Sequence, residues 1–240
     1  MFNPTVASIT LRATLGRKRA LLFALPALVL ILVTLLIKAA HPSDPSWPSR
    51  ILGDFAFSVV LPLTALIIGT SVLGAEIDDG SILHLLATPV RRSSVIMTKF
   101  AVAAGLTMLL VGVPELISGL IATGGATKLA LALFAGALVG SVIYNALFVM
   151  ISAVTTRSIA VGLLYVLIWE GLLGNFVSGA RVLSVGHYAL GVANGIYHDA
   201  SLKAGLSLAT AVTLGSVVTV ATLVIGSSRL ARFSLRGDAL

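Results

Sequence analysis

The sequence predicts an all-α membrane protein of six transmembrane helices with both termini cytoplasmic. Three observations lead there. The 240 residues are 58% hydrophobic and only 10% charged, against about 45–50% and about 25% in soluble domains, and the mean hydropathy is +1.07. The apolar residues form continuous runs close to the ~20 needed to cross a hydrocarbon core, without the alternation of barrel strands. The cations are placed unevenly. With the N-terminus inside, eleven of the sixteen Lys and Arg residues fall on the cytoplasmic side, as the positive-inside rule requires.

Residues 1–19 predict an interfacial helix. Asn3-Pro4 is a start signal, with Asn as cap and Pro at the first helical position. Val6, Ile9 and Ala13 share a face, and Arg12 and Arg17-Lys18-Arg19 follow. The stretch reads either as an amphipathic helix on the membrane surface or as a flank that only sets topology. Ala20 to Ile37 is the first span; its 18-residue run exceeds a signal-peptide core and ends in no cleavage site. The proline-rich stretch from His41 to Arg50 is a short external connector, with Trp47 at the membrane interface. Phe55 to Ala75 is the second span.

Residues 76–99 form a polar cytoplasmic break. Phe100 to Ala122 is the third span, with Glu115 inside it. Leu129 to Thr156 is the fourth, where Gly136 and Gly140 suit close helix packing. Ser158 to Gly179 is the fifth, with Glu170 inside it. Residues 178–203 mix apolar residues with Gly, His and Tyr, which fits short external re-entrant or interfacial helices shielded by protein. Ala204 to Ser228 is the sixth span. Residues 1–240 thus read as one transmembrane domain.

Several chemistries are excluded. The cations sit at helix ends, where they meet anionic headgroups, so membrane lipid and not nucleic acid explains the net charge of +7. With no cysteine there is no disulfide or thiolate metal site. His41, His84, His187 and His198 lack metal-site spacing, so no metal is expected. No serine sits in a nucleophile-elbow setting, and no phosphate-binding loop is present. No catalytic residue is expected.

Two acids lie inside spans, where a charge costs roughly 2.5–3.5 kcal/mol. Glu170 reads either as a structural hydrogen-bonding group or as part of a translocation path or proton site. Glu115 reads as a structural or interfacial group. In the polar break, Ile82, Leu83, Leu85 and Leu86 fall on one helical stripe, and Pro89 stops the helix. Arg91, Arg92 and Lys99 anchor the return to the membrane. The acids at the start suit a helix N-terminus but not an anionic leaflet. An apolar ridge with an acidic lip fits a cytoplasmic partner protein better than lipid.

The pattern Gly74-Ala-Glu76-x-x-x-Gly80-Ser81-Ile-Leu-x-Leu-Leu-x-x-Pro89-Val-Arg91-Arg92-x-x-Val-x-x-x-Lys99 resembles that of ABC-2 type transporter permeases. So do Leu147-Phe-x-x-Ile-Ser152-Ala-x-Thr-Thr-Arg157-Ser, Tyr165-x-x-x-Trp169-Glu170-x-Leu-Leu and Leu183-Ser184-x-x-x-Tyr188. The resemblance implies a coupling helix between spans two and three that docks a separate ATPase subunit through Glu76, Asp79, Leu83, Leu86 and Pro89. ATP and Mg would be bound by that subunit, and this chain would hold no cofactor. It implies a second permease copy, identical or not, a multi-pass place in a bacterial inner membrane, and export. Residues 178–203 would form an outer gate. Glu170 and Asn145 are the candidate pathway residues. The absence of a charged stripe in the spans favours an amphipathic or lipophilic cargo. A proton-coupled carrier using Glu170 and Glu115, or a non-transporting assembly or immunity subunit, is the alternative.

Overall fold

The computed structural model describes residues 3–14, 16–40, 47–78, 92–173, 178–199, 202 and 204–232. Every regular element among them is helical. Helix α1 is Pro4–Thr14 and α2 is Arg17–Ala40. Helix α3 covers residues 48–78 as one rod: π turns at Pro48–Leu52 and Ala56–Val60 alternate with α-helix at Gly53–Phe55 and Leu61–Asp78. Helix α4 covers 92–123, with a π turn at Met108–Gly112 between Arg92–Thr107 and Val113–Thr123. Helix α5 is Thr127–Val154. Helix α6 covers 158–173, starting at Ser158–Leu164 and widening to a π-helix at Tyr165–Leu173. A 3-10 turn at Ser178–Leu183 leads into α7, Val185–Tyr197. Helix α8 is Leu208–Arg232.

Five of these stretches are long and apolar enough to cross a membrane: Phe23–Ala40, Pro48–Gly74, Arg92–Thr123, Thr127–Val154 and Leu208–Leu230. The expected span from Ser158 to Gly179 appears as the shorter apolar helix Ser158–Leu172, and residues 174–177 lie outside the described ones.

Helix α5 occupies the centre and packs on α3, α4, α7 and α8. Its small residues allow this. A Cβ at Gly136 would lie 2.7 Å from both the Ala189 carbonyl oxygen and Phe57 Cζ, and one at Gly140 would strike Leu61. The expected close packing at Gly136 and Gly140 is therefore present, against α7 and α3. One apolar cluster gathers Phe57, Leu61, Tyr144, Phe148 and Tyr188. A second, with Phe23, Ile68, Val72, Val95 and Leu230, fills the end where α3 finishes and α4 begins. Helices α2 and α8 lie at the periphery. Leu28 is 64% exposed and Val217 63% exposed, which suits lipid or a second chain and not water.

Two expectations are corrected, the extent of the 41–50 connector and the anchoring of Lys99. Trp47 is buried by protein, and Pro48 starts a helix, because Pro at the first helical position costs no hydrogen bond. The connector is thus shorter than 41–50. In α1 the packed face is Val6, Thr10 and Thr14, with Ile9 exposed; the helix rests on α4 and α3 along a stripe shifted from the apolar one. Its start is as expected, with Asn3 Oδ1 accepting from the backbone N–H of Thr5 and Val6 at 3.0 and 3.3 Å. Lys99 does not anchor to headgroups but is fully buried.

Candidate functional site

At one end of the bundle, α3 and α4 approach the segment 79–91, which lies outside the described residues. Their ends are clasped. Lys99 Nζ donates to Glu76 Oε1 at 2.5 Å and to the Val72 carbonyl at 2.6 Å. Lys99 is 0% exposed and Glu76 21%. The ammonium thus leaves water with a carboxylate and a carbonyl as partners, which a buried cation requires. Nearby, the Asn3 backbone N–H donates to Thr98 Oγ1 at 3.0 Å. Arg92 Nη1 donates to the Leu230 carbonyl at 2.9 Å, where the C-terminal end of a helix favours a cation. The start of α1 and the last turn of α8 are therefore both fastened to the start of α4. Of the docking residues expected from sequence, Glu76 is paired within the chain. Asp79, Leu83, Leu86 and Pro89 lie outside the described residues.

Glu170 sits in the π stretch of α6, faces inward and is 5% exposed. Its carboxylate meets the N-terminus of α7. Oε1 accepts from the Val185 backbone N–H at 2.8 Å and from the Tyr165 hydroxyl at 3.1 Å. Oε2 accepts from the Ser184 hydroxyl at 2.5 Å and from the Gly186 N–H at 3.4 Å. The first amides of a helix have no partner of their own, and the helix dipole favours an anion there. Ser184 is the N-cap, its Oγ accepting from the His187 N–H at 3.3 Å. His187 Nδ1 is also 3.0 Å from that oxygen. The Ser184 proton points to Glu170, so Nδ1 is the donor to Ser184. Burial and then the charge of Arg181 lower the pKa of His187.

The 3-10 turn is held in the same way. Trp169 Nε1 donates to the Leu183 carbonyl at 3.2 Å, and the Tyr188 hydroxyl to the Val182 carbonyl at 2.5 Å. Tyr144 stacks on Phe148 at 5.9 Å, and Phe148 meets Tyr165 edge-on at 6.3 Å. An aromatic ladder thus runs from α5 to the Glu170 carboxylate.

Asn145 is fully buried in α5. Its Nδ2 donates to Thr107 Oγ1 at 2.9 Å and to the Ser141 carbonyl at 2.8 Å, which bolts α5 to α4. It belongs to a different joint from Glu170. Glu115 is fully buried as well, and neither carboxyl oxygen has a hydrogen-bond partner among the described residues. Sequence reasoning missed the role of Lys99. The available signal was that Glu76 and Lys99 are acid and base on opposite sides of the same break.

Residues 15–178 match a family model described as "ABC-2 family transporter protein". A search of curated proteins gave no match.

Proposed function

Because the chain belongs to the ABC-2 family of transporter proteins, we propose that it is the permease subunit of an ATP-driven exporter in a bacterial inner membrane. A separate ATPase binds ATP and Mg and docks on residues 76–89, with Asp79, Leu83, Leu86 and Pro89 as the contact surface. A second permease copy completes the pathway, packing against exposed apolar faces such as those of α2 and α8.

One observation carries this reading: the buried Lys99–Glu76–Val72 clasp at the base of the segment 79–91. A flexible base would absorb a push from a partner. A clasped base passes it to α3 and α4 together, and through Asn3 and Arg92 to α1 and α8. The bundle then moves as one body, which is how a packed, bistable structure transmits motion. Glu76 works as a positioning residue at this base. Glu170 positions the outer half-helix α7, and Asn145 fixes α5 against α4. The chain supplies docking and pathway while the partner supplies energy.

The test is gentle-detergent purification of the tagged chain from its host, with Leu86→Asp and Asp79→Lys in parallel. An ATPase that co-purifies with the parent chain and is lost from both variants supports the reading. A preparation with no ATPase, and transport that follows a proton gradient, would overturn it.

A further inference from the structure

At the opposite end of the bundle from the clasp lies a cavity of about 830 Å³, within the range of about 300–1,000 Å³ typical of ligand pockets. It opens between the start of α3, the 3-10 turn and α7. Its polar wall carries Arg50, Asp54, Arg181 and His187, and its apolar wall Ile51, Phe55 and Leu190. Arginines outnumber acids on this wall two to one among the described residues. Arg181 Nε is buried with no hydrogen-bond partner among those residues, which leaves part of a planar donor fork unused. A buried donor left unmatched is costly, and this one is suited to an acceptor that enters the cavity.

The space is also kept open. Gly205 stands against both groups: a Cβ there would lie 3.2 Å from Arg181 Cδ and 3.3 Å from His187 Cδ2. Any larger side chain would grow into the pocket. The turn bearing Arg181 is held by Trp169 and Tyr188 at its last two carbonyls, and the next residue, Ser184, by Glu170. Arg181 is therefore presented from a fixed backbone, which lowers the ordering cost of binding.

We propose that this cavity binds the oxyanion of a phosphate-bearing amphiphile, with Arg181 and Arg50 on the oxygens and Ile51, Phe55 and Leu190 against its apolar part. A guanidinium matches the geometry of phosphate oxygens in a bidentate way that an ammonium does not. The site is argued from this chain alone and needs no ATPase, so its failure leaves the permease reading standing, and the reverse.

The test uses the full chain in phosphatidylcholine nanodiscs and two probes. Phosphatidylglycerol is added to the nanodisc and its retention read by native mass spectrometry. Inorganic phosphate is added to the buffer and the shift in Tm compared with chloride. Retention of phosphatidylglycerol that falls about tenfold, equivalent to about 1.4 kcal/mol, in Arg181→Gln and in Arg50→Gln supports a lipid headgroup. A phosphate-dependent Tm shift lost in the same variants, without lipid retention, assigns the two arginines to a soluble oxyanion and overturns the amphiphile. Arg181→Lys recovers part of either signal, because it restores charge without the fork. Arg50 is exposed, so its variant keeps the test alive if Arg181→Gln does not fold. Binding of neither probe, or binding equal in the parent and both Gln variants, overturns the proposal.

Discussion

Lys99 reaches Glu76 across the base of the α3–α4 connection at 2.5 Å, with the ammonium wholly out of water. Removing one partner of such a pair leaves an uncompensated buried charge, which costs about 3–5 kcal/mol when both groups are deep. Glu76 keeps some exposure, so Glu76→Gln is expected to cost about 2–3 kcal/mol, below that range. Adding Lys99→Met to it recovers most of the loss, since the orphaned cation is gone. Thermal unfolding in detergent reads both. Equal Tm values for the single and double variants would show that the clasp is not energetically coupled.

The Glu170 carboxylate should be felt mainly in α7. Glu170→Gln keeps the shape but turns one of the two acceptor oxygens into an NH₂ group, which cannot accept from the hydroxyl and the helix amide that it faces. Hydrogen bonds to a charged group contribute about 1.5–3 kcal/mol each, so a loss of about 2 kcal/mol is expected. Amide hydrogen exchange should rise at residues 185–190 and stay unchanged in α8. Exchange rising uniformly would mean that Glu170 supports the whole bundle and not α7 alone.

Asn145 and Thr107 form a testable couple. In a double-mutant cycle with Asn145→Leu and Thr107→Val, the coupling should be about 0.6–1.7 kcal/mol, as for side-chain hydrogen bonds between membrane helices. A coupling near zero would assign the stability at Asn145 to its bond with Ser141 in the same helix.

Glu115 presents the opposite case. It is fully buried and its oxygens are unmatched among the described residues. Replacing a buried polar group that has no partner with an apolar one of similar shape is stabilising. Glu115→Met is therefore expected to raise stability by about 1–3 kcal/mol, seen as a higher Tm. A lower Tm would show that Glu115 has a partner in the assembled protein.

The long elements were legible because continuous apolar runs leave little choice in lipid. The corrections arise where one residue type serves two purposes. Pro48 reads as a loop residue in a proline-rich stretch, yet it starts α3. Lys99 reads as a headgroup anchor because lysines at helix ends usually snorkel; only the approach of α3 in space shows its true partner. Glu170 stood out as an acid in an apolar run, but its Ser184 and helix-amide donors come from 14 to 16 residues further on. No local spacing marks that distance. Arg50 and Arg181 are 131 positions apart and become one wall only after folding.

The glycines separate packing from propensity, which sequence alone cannot do. At Gly136 an added Cβ would meet the Ala189 carbonyl oxygen at 2.7 Å, and backbone cannot rotate aside as a side chain can. At Gly105, also in a helix interior, nothing lies within 4 Å. Gly136→Ala is therefore expected to cost about 1–3 kcal/mol by overpacking. Gly105→Ala should be neutral or gain up to about 1 kcal/mol of helix propensity. Because Gly136 contacts both α7 and α3, its variant should also loosen α7 in hydrogen exchange, much as Glu170→Gln does. Similar Tm values for the two alanine variants would mean that α7 can shift away from α5 at little cost. In that case α7 would be held by Glu170 and not by its packing on Gly136.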